Sequence, residues 1–174
     1  MLMAKRNILI TGPPRSGKST VIEKIVDRVQ RPATGFFTRE IRQKGRRVGF
    51  SIRTLDGREG VLAHKRIKSQ WRVGKYGVNI TDIESIAVRS IIPSKEDEMI
   101  VVDEIGKMEC FSRLFRENLI KTLDSPNRMI GSIALKGDSF IERIKDREDV
   151  QLIEITAQNR DFILDQLVKS LKAH

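Results

Sequence analysis

The octet Gly12-Pro13-Pro14-Arg15-Ser16-Gly17-Lys18-Ser19 follows directly on the apolar run Ile8-Leu9-Ile10-Thr11. A G-x-x-x-x-G-K-[ST] pattern behind a strand signal leaves few folds open. It asks for a strand, a loop whose backbone N–H groups converge on one point, and a helix whose first turn faces that point. Gly12 and Gly17 let the chain approach an anion where a Cβ would clash. Val21, Ile22, Ile25, Val26 and Val29 then carry the helical period. The helix opening near Lys18 directs its unpaired N–H groups and positive dipole end at the same charge. Such an arrangement binds the phosphates of a nucleotide. Lys18 reaches the β- and γ-phosphates, and the Ser19 hydroxyl holds Mg²⁺. Pro13 and Pro14 lack N–H groups, so the amide donors begin at Arg15.

The remaining pattern predicts one α/β domain over residues 1–174. Helices are expected at 18–30, from a capping box at Thr81-Asp82-Ile83-Glu84 to about Ile91, at 111–124, 139–146 and 159–172. Strands are expected at 7–11, Thr34–Arg42, Arg46–Leu55, around Val61 and Leu62, from Met99 to Val102, Arg128–Leu135 and Val150–Ile155. Residues 63–80 read as irregular. From Met99 onward, apolar strands alternate with helices, which argues for a mostly parallel central sheet covered on both faces. The stretch 34–62 reads as an antiparallel β insertion on that core.

Met99-Ile100-Val101-Val102-Asp103-Glu104 is a buried strand ending in two acids. At the carboxyl end of a parallel strand, Asp103 falls beside the phosphate loop, where open α/β sheets bind ligands. Its carboxylate would orient the Mg²⁺ shell with Ser19. Glu104 would then orient and activate the attacking water. Lys18 and Glu104 are therefore the expected catalytic residues, and Ser19 and Asp103 the expected metal ligands.

The run Val101-Val102-Asp103-Glu104-Ile105-Gly106-Lys107-Met108-Glu109 resembles the signature of a family of small nucleoside-triphosphatases, the thermophilic nucleoside-triphosphatases, known in animals as cancer-related nucleoside-triphosphatase. Gly35-Phe36-Phe37-Thr38-Arg39-Glu40, Arg47-Val48-Gly49-Phe50, Val73-Gly74-Lys75-Tyr76-Gly77-Val78, and Glu154-Ile155-Thr156 with Asn159-Arg160-Asp161 are similar to further stretches of that family. The resemblance spans essentially the whole chain. It implies an α/β phosphate-loop fold of the RecA-like and AAA+ branch. It also implies slow, Mg²⁺-dependent hydrolysis of several nucleoside triphosphates to diphosphates with little base preference. The nucleotide-binding stretches it implies are Gly12, Pro13, Pro14, Arg15, Ser16, Gly17, Lys18 and Ser19, with Thr20 beside them, and Met99, Ile100, Val101, Val102, Asp103, Glu104, Ile105 and Gly106. Ala134-Leu135-Lys136 departs from the His-Arg pair of many members, leaving Lys136 to sense the γ-phosphate if that position does so.

The net charge of +10 is uneven. Residues 39–75 hold twelve Lys and Arg against Glu40, Asp56 and Glu59, so this segment carries +9. Trp71 and Tyr76 lie within it. Cations with aromatics suit a nucleic-acid surface, but they equally suit a solvated face with two anchoring rings, which is the favoured reading. The rival functions are a nucleotide or small-molecule kinase and a nucleic-acid-dependent ATPase. Among other candidates, Glu109 is the alternative base. Arg15 leans over the phosphates or points to solvent. Lys107 touches phosphate or pairs with an acid. Arg160 stacks on a base of any identity through its planar guanidinium. Arg113 and Arg116 face solvent, and His64 and His174 lack ligand-spaced partners. No apolar run approaches the roughly 18 residues of a membrane span. A single cysteine, Cys110, forbids an internal disulfide and fits a cytoplasmic setting. A monomer is expected.

Overall fold

The computed structural model describes residues 5–173. Among them, nine strands form one sheet in the order β5-β6-β4-β3-β2-β7-β8-β1-β9. The strands are β1 (Asn7–Thr11), β2 (Ala33–Gln43), β3 (Arg46–Thr54), β4 (Glu59–His64), β5 (Arg72–Val73), β6 (Tyr76–Val78), β7 (Met99–Ile105), β8 (Met129–Ile133) and β9 (Val150–Glu154). The helices are α1 (Lys18–Val29), α2 (Ile80–Asp82), α3 (Arg113–Asp124), α4 (Ser139–Lys145) and α5 (Arg160–Lys172). Neighbours from β2 through β7, β8 and β1 to β9 pair in parallel. Those from β2 through β3, β4 and β6 to β5 pair antiparallel.

The parallel half is covered on both faces, as its continuous apolar strands predict. Ile8 and Ile10 of β1 pack with Val21, Ile22 and Ile25 of α1 and with Leu164, Leu167 and Leu171 of α5. Leu9, pointing the other way, joins Ile100 and Val102 of β7 and Phe115, Leu119 and Leu123 of α3. Each such fully buried side chain contributes about 1.5–3 kcal/mol, so α1 is held to the sheet mainly by this stripe rather than by its own propensity.

Strand β2 belongs to both halves. Its first residues, Ala33 to Phe36, pair with Met99 to Val102 of β7. From Phe36 to Gln43 it pairs with β3. The antiparallel stretch is thus larger than the expected 34–62. It runs on through β6 to Val78 and shares its first strand with the core.

Three local expectations are corrected. Residues 63–80 contain the β5–β6 hairpin, whose strands of two and three residues are too short to show a period. The capping box at Thr81 does not form. Asn79 caps instead, its Oδ1 accepting from the Asp82 N–H at 3.1 Å, while Glu84 accepts from the Ser112 hydroxyl at 2.8 Å. The helix that follows is wound as a π-helix over Ile83–Val88. Finally, α3 starts at Arg113 rather than 111, because Ser112 caps it by accepting from the Phe115 N–H at 3.0 Å.

Candidate active site

The loop between β1 and α1 is held open by backbone geometry. Gly12 has φ of 153° and Gly17 of 93°, and Arg15 between them sits at 63°. A Cβ on Gly12 would lie 2.4 Å from the Ile155 carbonyl oxygen and 3.0 Å from the Ser16 hydroxyl. That contact joins the loop to the end of β9, so no side chain fits there. Lys18 lies across the loop, its Nζ donating to the carbonyls of Gly12 at 2.9 Å and Pro13 at 3.2 Å. Ser16 is buried, and its Oγ has no hydrogen-bond partner among the described residues.

Strand β8 lies between β1 and β7, and it supports the acids. Ser132 of β8 donates a short hydrogen bond to Oδ1 of Asp103, while Oδ2 is buried and has no hydrogen-bond partner among the described residues. Burial pushes the Asp103 carboxyl above the usual range. The hydroxyls of Ser132 and Ser19 and the charges of Arg39 and Lys18 oppose that rise. Glu104 is raised by burial and by the Asp103 charge, with Lys18 opposing. Glu109, in the short turn after β7, is buried and raised well above normal by burial and by Glu104. Gly106 leaves room between the two: a Cβ there would meet Glu104 Oε1 at 2.8 Å and Glu109 Oε2 at 3.0 Å.

These groups share a cleft of about 400 Å³. Arg15, Lys18, Ser19, Asp103 and Glu104 form one side, with Lys107, Met108 and Glu109 beside them. Thr38, Arg39 and Glu40 of β2, Phe50 of β3, Leu62 of β4 and Val73 of β5 form the other. This second wall was not assigned from sequence, although Gly35–Glu40 and Arg47–Phe50 were among the stretches that carried the resemblance. Phe50 is half-buried, packs edge-on against Tyr76 with centroids 5.3 Å apart, and both rests on the core and lines the cleft.

The remaining candidates distribute as follows. Met99, Ile100, Val101, Val102 and Ile105 are buried in the sheet and do not line the cleft. They deliver Asp103 and Glu104 to it. Pro13, Pro14 and Thr20 are exposed around the loop. Arg160, the first residue of α5, comes within 3.3 Å of the Cβ position of Gly17 through Nη1. Lys136 does not line this cleft. It faces a neighbouring cavity of about 310 Å³ with Lys107, Cys110, Phe111, Gly137, Asp138 and Ile141, because the chain turns away after β8. Arg113 pairs with Glu117 on the surface, as a solvent-facing residue does. Tyr76 is a buried anchor. Trp71 is 41% exposed but rests on Phe111 with centroids 5.3 Å apart.

A protein-family profile described as NTPase matches residues 7–168. The chain is 46% identical over 166 residues to Nucleoside-triphosphatase THEP1 of Thermotoga sp. strain RQ2, covering 95% of each chain. It is 36% identical over 185 residues to the human Cancer-related nucleoside-triphosphatase, covering 97% of each. Its fold superposes on the crystal structure of THEP1 from the hyperthermophile Aquifex aeolicus with a TM-score of 0.86 at 34% identity, over 95% of this chain and 99% of that one. A phosphate loop at the end of β1, paired acids on β7 and a whole-length match all point one way: the chain belongs to the NTPase family of phosphate-loop proteins.

Proposed function

We propose that this chain is a nucleoside-triphosphatase that cleaves the β–γ phosphate bond of several nucleoside triphosphates, slowly and with little base preference. The observation that carries this reading is Glu104, a carboxylate at the end of β7 that faces the same cleft as Lys18 and Ser19. A phosphotransferase needs an acid to orient its metal, but a hydrolase also needs a group to position water. The loop amides from Arg15 onward would bind the phosphates. Lys18 would exchange the carbonyls of Gly12 and Pro13 for β- and γ-phosphate oxygens. Glu104 would hold the attacking water and accept its proton.

The residues present also fit Mg²⁺. Asp103 Oδ2 is a buried oxygen without a hydrogen-bond partner among the described residues, and the Ser19 hydroxyl interacts with the same carboxylate. Oxygen donors from one or two side chains, completed by substrate phosphates, are what Mg²⁺ takes in such sites. Asp103 and Ser19 would hold it, and it would neutralise charge on the β- and γ-phosphates. Burial raises both acids, and a cation beside them favours their ionised forms.

Broad base tolerance is the reading that Arg160 supports, since it lies beside the loop and its planar guanidinium can stack on any base. We take residues 1–174 as one domain, because a single sheet runs through both halves, and we propose that it works as a cytoplasmic monomer. The deciding experiment supplies ATP, GTP, CTP and UTP with Mg²⁺ and follows phosphate both free and transferred to added nucleosides. Free phosphate from all four, lost on chelation, supports the reading. Phosphate appearing on the nucleoside would replace it with a kinase in which β2 to β6 hold the acceptor.

A further inference from the structure

Arg39 is unusual among the cations of the antiparallel half. It lines the cleft together with Lys18, Ser19, Asp103 and Glu104, and it does so from the opposite wall. The positive charges acting on the buried Asp103 carboxyl are those of Arg39 and Lys18. Its guanidinium lies 5.3 Å from the centre of the Phe37 ring and is ion-paired with Glu23 of α1, five residues beyond Lys18 in the helix that opens at the phosphate loop. Both members of that pair are about 40% exposed at the side chain, at 43% and 39%. An exposed pair of this kind is weakly held, because water screens both charges. The contact therefore parks Arg39 at the cleft without committing it there.

Resting on the hydrolytic reading above, we propose that Arg39 is a built-in arginine finger: when a nucleoside triphosphate fills the cleft, it leaves Glu23 and neutralises charge on the γ-phosphate in the transition state. In that step the water oxygen bonds to the γ-phosphorus. The bond from that phosphorus to the β–γ bridging oxygen breaks, and its electron pair stays on the diphosphate. Glu104 takes the water proton, and Arg39 supplies charge alone. Hydrolysis builds negative charge on oxygens around the γ-phosphorus, and a planar guanidinium can bind two of them at once. Arg15 is a poorer candidate, since it belongs to the loop on the same side as Lys18. Lys107 is an exposed ammonium without that bidentate geometry.

The test measures turnover and binding separately in Arg39→Ala, Arg39→Lys and Glu23→Gln, with Lys44→Ala at the distant hairpin turn as a surface control. Arg39→Ala is expected to lower kcat about 10³-fold. It should leave diphosphate affinity near wild type and abolish the tight complex of diphosphate with aluminium fluoride, which mimics the transferring phosphate. Arg39→Lys should recover only a minor part of the rate. Glu23→Gln should raise kcat/KM, because the resting partner is gone. If Arg39→Ala is unstable, the lysine variant and Arg39→Gln carry the same comparison. The proposal is overturned by wild-type turnover in a folded Arg39→Ala protein. Equal losses of diphosphate and triphosphate binding, or a loss in Glu23→Gln matching that of Arg39→Ala, would also overturn it. Phosphate release by wild type and its loss in Lys18→Ala report on the hydrolytic reading itself. If those hold while Arg39→Ala is unaffected, the arginine assignment alone fails. If wild type releases no phosphate, both fall.

Discussion

The two halves of the sheet meet at one cleft but treat their polar groups in opposite ways. In the parallel half, β1, β7 and β8 are buried almost throughout. Buried polar atoms without partners among the described residues are Asn7 Oδ1, Thr11 Oγ1, Ser16 Oγ and Asp103 Oδ2. All but the first lie around the phosphate loop. In the antiparallel half, cations outnumber acids, and each acid of residues 39–75 is paired. Arg42 and Arg47 share Glu40, Arg53 meets Glu59 and Arg58 meets Asp56. Native proteins rarely leave buried polar groups unpaired, so a cluster of them marks where a ligand completes the structure. Paired surface ions mark a solvated face worth little in stability. Counting charges along the sequence singles out 39–75, yet the unpartnered buried oxygens gather in the half with a net charge near zero.

If the parallel half holds the chemistry, its lysine should matter most. Lys18→Ala is expected to abolish hydrolysis and weaken triphosphate binding while the protein stays folded, since Nζ contacts only loop carbonyls among the described residues. Phosphate release and nucleotide titration of a variant with unchanged circular dichroism check this. Glu104→Gln comes next. It keeps shape and hydrogen bonding but loses the base, so kcat should fall by roughly 10² or more with nucleotide binding retained. Normal turnover would pass the role to Glu109.

The seam between the halves offers a stability test. Gly35 has φ of 125°, and a Cβ there would lie 1.9 Å from the Val101 carbonyl oxygen. Gly35→Ala should cost about 3 kcal/mol or more, read by urea unfolding, because strand and backbone must both move. A near-neutral result would mean that β2 and β7 separate easily and that the two halves are less coupled than their shared strand implies.

Glu109 gives a pH signature. Its carboxyl is raised in the folded protein, first by burial and then by Glu104. The folded state therefore holds a proton that the unfolded chain releases above about pH 4.3. Stability should drop as pH climbs from there through the folded value, with a slope of up to about 1.4 kcal/mol per pH unit. Glu109→Gln removes that slope, so its stability relative to wild type should grow with pH. Parallel unfolding curves at pH 5 to 9 would contradict the burial argument.

The smallest effect is expected at the basic tip. Lys44, Arg46, Lys65 and Arg66 line a shallow groove and, among the described residues, make no ion pair. Arg47, one residue on, turns instead to Tyr76 and Glu40. RNA or DNA should bind this tip no more tightly than the generic 10⁻⁴–10⁻⁶ M. Arg46→Glu with Arg66→Glu should flatten the salt dependence and leave hydrolysis untouched. A submicromolar, salt-sensitive complex lost in that variant would move function into the antiparallel half.

The sequence alone determined the parts written in neighbouring residues. The loop octet, the apolar strand ending in Asp103 and Glu104, and the helical stripes of α1, α3 and α5 each depend on contacts within one turn or one strand. Their periods and turn residues state them directly. Tertiary structure decided the rest, since it hangs on pairings between distant segments. Phe36 faces Val102 on one side and Thr54 on the other, and that register brings Arg39 and Phe50 to the cleft. Lys136 misses the cleft because the chain turns away beyond β8. Asn79, not Thr81, provides the cap, and Glu84 pairs with the distant Ser112. The short β5 and β6 exist because β4 offers β6 an edge. Burial of Glu109 beside Glu104 needed the turn after β7 to fold back on its own strand. A local pattern carries a period or a cap, but the partner across a sheet is selected by packing the whole core at once.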